Sequence, residues 1–127
     1  MTYLTMTKIR NQQLRYAVGQ EMESSRKAGK PITLNEAVRR VVHRPTKGGY
    51  YVGVDHVVQM WRKWRKGCMP RMEPLRRQMW AELLSKVMER QRATHCNHLD
   101  AISHVLTTAT ASRFFIADIT AMKLMEE

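Results

Sequence analysis

Sliding the sequence along itself by 64 residues, without a gap, lays Tyr50-Tyr51-Val52 on Phe114-Phe115-Ile116. The apolar positions around the triplet follow: Ala37-Val38 falls on Ala101-Ile102, Val41-Val42 on Val105-Leu106, and Val58 and Met60 on Met122 and Leu124. At a shift of 65, Leu14, Val18 and Met22 fall on Met79, Leu83 and Val87. Any two amphipathic helices can be slid into apolar agreement, but a matched aromatic-aromatic-aliphatic triplet demands more in a chain with only 7% aromatic residues. The pattern reads as an internal duplication. A copy of about 60 residues is marginal on its own, so the two are expected to pack together through the face of Trp80 and Leu84.

The remaining periodicity is helical. A first segment from about Thr5 to Ala28 carries Met6, Ile9, Leu14, Ala17, Val18 and Met22, and it stops at Arg26, Lys27, Gly29 and Pro31. Thr33-Leu34-Asn35-Glu36 reads as a capping box that opens a short helix ending near His43 or Arg44, before Pro45. Thr46-Lys47-Gly48-Gly49 is a turn, and Tyr50-Tyr51-Val52 is a short extended piece. After Gly53, the positions Val54, Val57, Val58, Trp61 and Trp64 define a third helix, closed by Gly67 and Pro70. A fourth begins at Glu73-Pro74 and bears Leu75, Met79, Trp80, Leu83, Leu84, Val87 and Met88. Asn97 caps a fifth, and a last short helix with Ile119, Met122 and Met125 follows the second triplet. The expected fold is all-α: about six helices in two tandem three-helix repeats, residues 1–71 and 72–127, packed into one domain. Pairing of the two triplets would add a small two-stranded ribbon.

The stretches Arg44-Pro45-Thr46-Lys47-Gly48-Gly49-Tyr50-Tyr51-Val52 and Thr108-Ala109-Thr110-Ala111-Ser112-Arg113-Phe114-Phe115-Ile116 resemble a family of small, basic, uncharacterised bacterial proteins. Its members look like tandem copies of an Ala-Pro-Arg-Phe/Tyr-Phe/Tyr-Val/Ile-Ser element, each followed by a helix. Leu75-Arg76-Arg77-Gln78-Met79-Trp80 resembles the middle helix of that family, and the resemblance spans about Thr33 to Met125. Gly48 and Ser112 stand where the element has Pro, Gly53 and Ala117 where it has Ser, and Lys47 and Gly49 replace Ala and Arg in the first copy. What the resemblance implies is a helix-turn-helix-like fold pattern, with no established activity.

Charge divides the chain as well. Residues 1–71 hold 15 Lys/Arg and 4 Asp/Glu while residues 72–127 hold 7 of each, so the formal net charge of +11 belongs to the first half. A one-sided cationic excess is what a polyanion-binding face leaves in a sequence. A third helix presented by two supporting ones is also how helix-turn-helix modules enter a DNA major groove. On that reading His56, Gln59, Arg62 and Lys63 face the bases, with Gln59 suited to adenine and Arg62 to guanine or phosphate. Arg39, Arg40, Arg44, Lys47, Arg65 and Lys66 would contact phosphates. The connection from His43 to Gly53 is longer than the three or four residues usual in the motif, which makes this a variant. The competing reading of Arg62 to Lys66 is a solvated helix face whose stems shield Trp61 and Trp64. The last helix, with Asp118, Lys123, Glu126 and Glu127, suits packing or a homodimer contact through the C-terminal repeat.

Other classes are excluded by what the residues lack. No apolar run approaches the roughly 20 residues of a membrane span, and Met1 to Arg10 lacks the core of a signal peptide, so a cytoplasmic protein is expected. Cys68 and Cys96 read as free thiols. His95-Cys96-Asn97-His98, with Cys68 and His104, has metal-ligand residue types without metal-site spacing. There is no Gly-rich phosphate loop, nucleophile elbow or matched carboxylate pair. The sequence points to a DNA-binding protein without enzymatic activity, metal or cofactor, in a regulatory or mobile-element setting. RNA binding and a Met-rich protein–protein interaction module are the alternatives.

Overall fold

Local signals end the helices where the sequence places their ends. The computed structural model describes residues 3–126; Glu127, expected on the last helix, lies outside them. Helix α1 (Tyr3–Lys27) closes in a Schellman turn, with Gly29 at φ 76° and the N–H groups of Gly29 and Lys30 donating to the carbonyls of Arg26 and Ser25 at 3.0 and 2.9 Å. Helix α2 (Leu34–Val42) starts where Thr33 Oγ1 accepts from the Glu36 N–H at 3.2 Å. Helix α3 (Val54–Arg65) ends as α1 does: Gly67 has φ 72°, and Gly67 and Cys68 donate to the carbonyls of Trp64 and Lys63 at 3.1 and 2.8 Å. Helix α4 (Pro74–Thr94) opens on its proline, and α5 (His98–Thr108) is capped by Asn97 Oδ1, which accepts from the Asp100 N–H at 2.8 Å. Helix α6 (Asp118–Glu126) completes an all-helical fold.

Helix pairing does not follow chain order. Helices α1 and α2 pack on each other and on α6, while α4 and α5 pack on each other and α5 takes α3. One core joins Leu14 and Val18 of α1 and the Ala37, Val38, Val41 and Val42 stripe of α2 to Phe114, Ile116 and Ala121. The other joins Val57, Met60 and Trp61 of α3 to Trp80, Leu83 and Leu84 of α4 and to Ala101 and Ile102 of α5. Each core therefore draws two helices from one side of the expected boundary at 71/72 and its third from the other side. The face of Trp80 and Leu84 does bury against the first half of the chain, and the helix it meets there is α3. Helix α3 is presented by α5 and α4, not by the α1 and α2 that precede it.

This pairing obliges the chain to cross between cores twice, and the two crossings meet. Thr46 and Ala111 form an isolated antiparallel bridge, exchanging backbone hydrogen bonds of 2.9 and 3.1 Å. The backbone pairing lies ahead of the aromatic triplets, which meet through their rings instead of as a ribbon. Tyr50 stacks on Phe115 with centroids 6.2 Å apart at 20°, and Tyr51 stacks on Phe114 at 5.9 Å and 8°. Tyr50 and Phe115 belong to the α3/α4/α5 core, and Phe114 and Tyr51 to the α1/α2/α6 core. Sequence neighbours thus serve opposite cores. Tyr51 adopts φ 56° at this point, a left-handed conformation that costs an L-residue roughly 1–2 kcal/mol.

Side chains from the long helices fasten the crossing on both sides. Glu82 Oε2 of α4 accepts from the Tyr50 hydroxyl at 2.7 Å and from the Ser112 N–H at 3.1 Å. Lys86 Nζ donates to the Thr110 carbonyl at 2.7 Å and stands 5.3 Å over the Tyr50 ring. Opposite, the Tyr51 hydroxyl donates to Gln13 Oε1 of α1. That contact requires glycine at position 48, where a Cβ would run into both the Tyr51 hydroxyl and the Gln13 carboxamide. Burial works against ionisation of Glu82, but the bonds from Ser112 and Tyr50 and the charge of Lys86 outweigh it and hold its carboxyl below the ordinary value of 4.5.

The Glu82 anchor makes stability depend on pH. A carboxyl whose pKa is lowered by folding contributes stability above the unfolded value, and that contribution is lost as pH falls through the folded value. Urea denaturation should therefore show wild-type stability dropping more steeply than that of Glu82→Gln below about pH 4.5, and Glu82→Ala should cost about 1–3 kcal/mol at neutral pH. Gly48→Ala should displace the Tyr51 hydroxyl or the Gln13 carboxamide and lower stability by no more than the overpacking cost of about 1–3 kcal/mol, as read by the denaturation midpoint.

Candidate nucleic-acid interface

Helix α3 buries Val57, Met60 and Trp61, which leaves Gln59, Arg62, Lys63 and Lys66 at i, i+3, i+4 and i+7 on its outer side, all exposed. Arg65 lies off this stripe, with its guanidinium 5.8 Å over the Trp61 ring, and Trp64 sits 5.5 Å from Trp61 between centroids. Among the described residues no ion pair neutralises Arg62, Lys63, Arg65 or Lys66. Part of their purpose is structural, since cations in the last turn complement the negative end of the helix dipole. Past the helix end, Arg71 and Arg77 flank an apolar cleft of about 370 Å³ lined by Trp64, Met69 and Met72. These two arginines escaped the sequence reading because they fall in the turn and at the head of the neutral half; the signal was cation density continuing across the 71/72 boundary.

The first turns of α3 are less open. The edge of the His56 ring rests on Trp80, with centroids 5.0 Å apart at 67°, so this side chain is engaged in packing. His56 and Gln59 line a cleft of about 250 Å³ together with Tyr51 and Met6 of α1, which places α1 beside the beginning of α3. Burial, followed by the charges of Arg76 and Lys63, lowers the His56 pKa below its ordinary 6.5.

The cations expected on or after α2 sit on the other core. Arg40 and Arg44 both engage Glu21 of α1, at 3.6 and 2.7 Å. The hydrogen bond from Arg44 outweighs burial there and, with the charges of both arginines, holds the Glu21 carboxyl below its ordinary value. Arg39 is exposed on α2, and Lys47 is exposed in the crossing segment. His43, at the end of α2, meets Asp118 of α6 at 2.9 Å. The structure thus gathers His56, Gln59, Arg62, Lys63, Arg65 and Lys66 on α3, and it sets Arg39, Arg40, Arg44 and Lys47 apart from them.

Among the described residues no group of His, Cys, Asp and Glu is placed to hold a metal ion, and no helix is long and apolar enough to cross a membrane. Both cysteines are free thiols, Cys68 exposed and Cys96 half-buried. No known protein family, curated protein or solved structure matches the chain.

The histidine on Trp80 gives a pH signature. Below its ordinary value of 6.5 the unfolded chain takes up a proton that folded His56 resists, so stability present above that pH declines as the pH falls toward the lower folded value. Stability should fall between about pH 7.5 and about pH 5.5, and the fall should be smaller in His56→Gln, as read by denaturant melts at the two pH values.

Proposed function

We propose that the protein binds double-stranded DNA, without catalysis, through the outer face of α3. The observation that supports this reading is the exposed stripe of Gln59, Arg62, Lys63 and Lys66, opposite a core face and free of acidic partners among the described residues. The stripe covers about 10 Å along the helix axis, the rise of about three base pairs. Arg62 would reach guanine or phosphate and Gln59 adenine. Arg65, Lys66, Arg71 and Arg77 would hold phosphates and set the register. Arg39 and Lys47, on the other core, would be a separate phosphate contact, and Arg40 and Arg44 would have to share their donors with Glu21. Duplex RNA suits the face less well, because its deep, narrow major groove does not admit a helix. We also infer that the two cores descend from one duplicated three-helix unit whose copies have exchanged their third helices.

The cleft between Trp64, Met69 and Met72 favours one second reading, in which an acidic amphipathic helix of a partner protein seats its apolar side there against Arg71 and Arg77.

A salt titration with random-sequence duplex separates the two. DNA binding predicts that log affinity falls linearly with log salt. Replacing Arg62, Lys63, Arg65 and Lys66 by Ala should flatten the slope by roughly 0.9 for each phosphate no longer neutralised. Arg39→Ala should flatten it by no more than about the value for a single phosphate. A chain that binds no duplex at low salt, or a slope that the four replacements leave unchanged, would overturn the DNA reading.

A further inference from the structure

On the α1/α2/α6 core, away from α3, a cleft of about 420 Å³ opens between α1 and the segment that follows α2. That is within the range of small-molecule sites, about 300–1,000 Å³. We propose that this cleft binds a nucleobase that carries a phosphate.

Three kinds of wall meet there, and each supplies one part of the recognition. The first is a ring: Tyr16, on α1, is 71% exposed, an aromatic face left in water at the edge of a cavity. Such a face is a stacking platform for a planar heterocycle. Buried Val41 and Phe114 line the same cleft and keep its base apolar.

The second wall is a fixed amide. Gln13 Oε1 accepts from the Tyr51 hydroxyl, and burial raises the pKa of that hydroxyl above its ordinary value of 10. The carboxamide is therefore oriented, with one lone pair of its oxygen engaged and its NH2 left to donate. Glycine at position 48 clears the space in which the pair sits. Gln12, next along α1, adds a second carboxamide to the lining, so a base edge with mixed donors and acceptors can be matched.

The third wall is positive. Arg44 and Lys47 line the cleft from the other side. Glu21 binds Arg44 Nη1 at 2.7 Å and so steadies the guanidinium, while the rest of its five-donor fork remains for an anion. Lys47 has no ion pair among the described residues. Ring, amide edge and cations together match the face, edge and phosphate of a nucleotide. Inorganic phosphate would use the cations alone, and an uncharged nucleoside only the ring and amides. The ligand can be a free nucleotide or a residue of a single strand.

The test is calorimetric titration of the full chain with each of the four 5′-ribonucleoside monophosphates, with adenosine, with inorganic phosphate and with a short single-stranded oligonucleotide. At least one monophosphate, or the oligonucleotide, is expected to bind with Kd below about 1 mM, and adenosine and inorganic phosphate at least about tenfold more weakly. Tyr16→Ala should weaken binding at least about fivefold, and Lys47→Ala should weaken it while preserving thermal stability, since both side chains are exposed. Monophosphates competing with the oligonucleotide assign the site to a nucleotide within a strand, and binding of monophosphates alone assigns it to the free ligand. The variant with Ala at positions 62, 63, 65 and 66 should bind the monophosphates as wild type does, which keeps this outcome distinct from the duplex reading. No binding by any monophosphate or the oligonucleotide, equal affinity for adenosine and its monophosphate, or binding indifferent to Tyr16→Ala overturns the proposal.

Discussion

Neither core of this protein closes without a helix from the far side of the chain, α6 on α1 and α2 and α3 on α4 and α5, and everything else in the fold depends on the place where the two connecting segments cross. The stacks of Tyr50 on Phe115 and Tyr51 on Phe114 contribute only about 0.5–1.5 kcal/mol each beyond their burial. Their consequence is larger than their energy. They join the segments that lead into α3 and α6 where these cross, beside the cores in which Val57, Met60 and Trp61, and Ala121, are packed. Glu82 and Lys86 from one long helix and Gln13 from the other hold the same few residues. Opening either core therefore disturbs the crossing and with it the second core, which couples two small cores, each marginal in size, into one structure.

Helix ends were legible in the sequence because they are decided locally. Gly29 and Gly67 terminate α1 and α3 through bonds spanning five residues or fewer, and Thr33 and Asn97 cap across three. Helix partners were not legible in the same way. The apolar positions of α3 and α6 recur at a shift of 64 residues, so periodicity alone does not say which of these two helices joins α1 and α2 and which joins α4 and α5. The connection from His43 to Gly53 was the usable signal. It is too long for a tight helix-turn-helix and long enough to reach another core.

Much the same division holds for the candidate interface. The outer stripe of α3 could be read from spacing alone, since Val57, Met60 and Trp61 fix which side faces inward. The engagement of Arg40 and Arg44 could not, because Glu21 lies on a different helix and only the packing of α1 on α2 brings it near. His56 belonged to the polar side of the same periodicity, yet Trp80 claims its ring from another element. Tyr16 left no trace in the sequence, for a single aromatic at an outward position of α1 looks incidental until the segment after α2 folds beside it.

The exchange also alters what the lopsided charge means. By sequence halves the balance is +11 against 0. Sorted by packing, the helices of the α1/α2/α6 core carry eight Lys/Arg against five Asp/Glu and those of the α3/α4/α5 core eight against four, so the two cores are nearly matched. Moving α3 onto the neutral half redistributes the excess. What sets α3 apart from the α1/α2 pair is therefore less the number of its cations than that none of them has an ion pair among the described residues. On the first core Arg26 and Lys27 meet Glu23, Arg40 and Arg44 meet Glu21, and His43 meets Asp118. On α3 the one acidic residue, Asp55, sits in the first turn, about 10 Å along the axis from Arg62, roughly a Debye length at physiological salt. The acids that pair with cations on α1 and α2 stay behind on the other core. The cationic end of α3 therefore keeps its field, which is the physical basis on which the proposed polyanion partner rests.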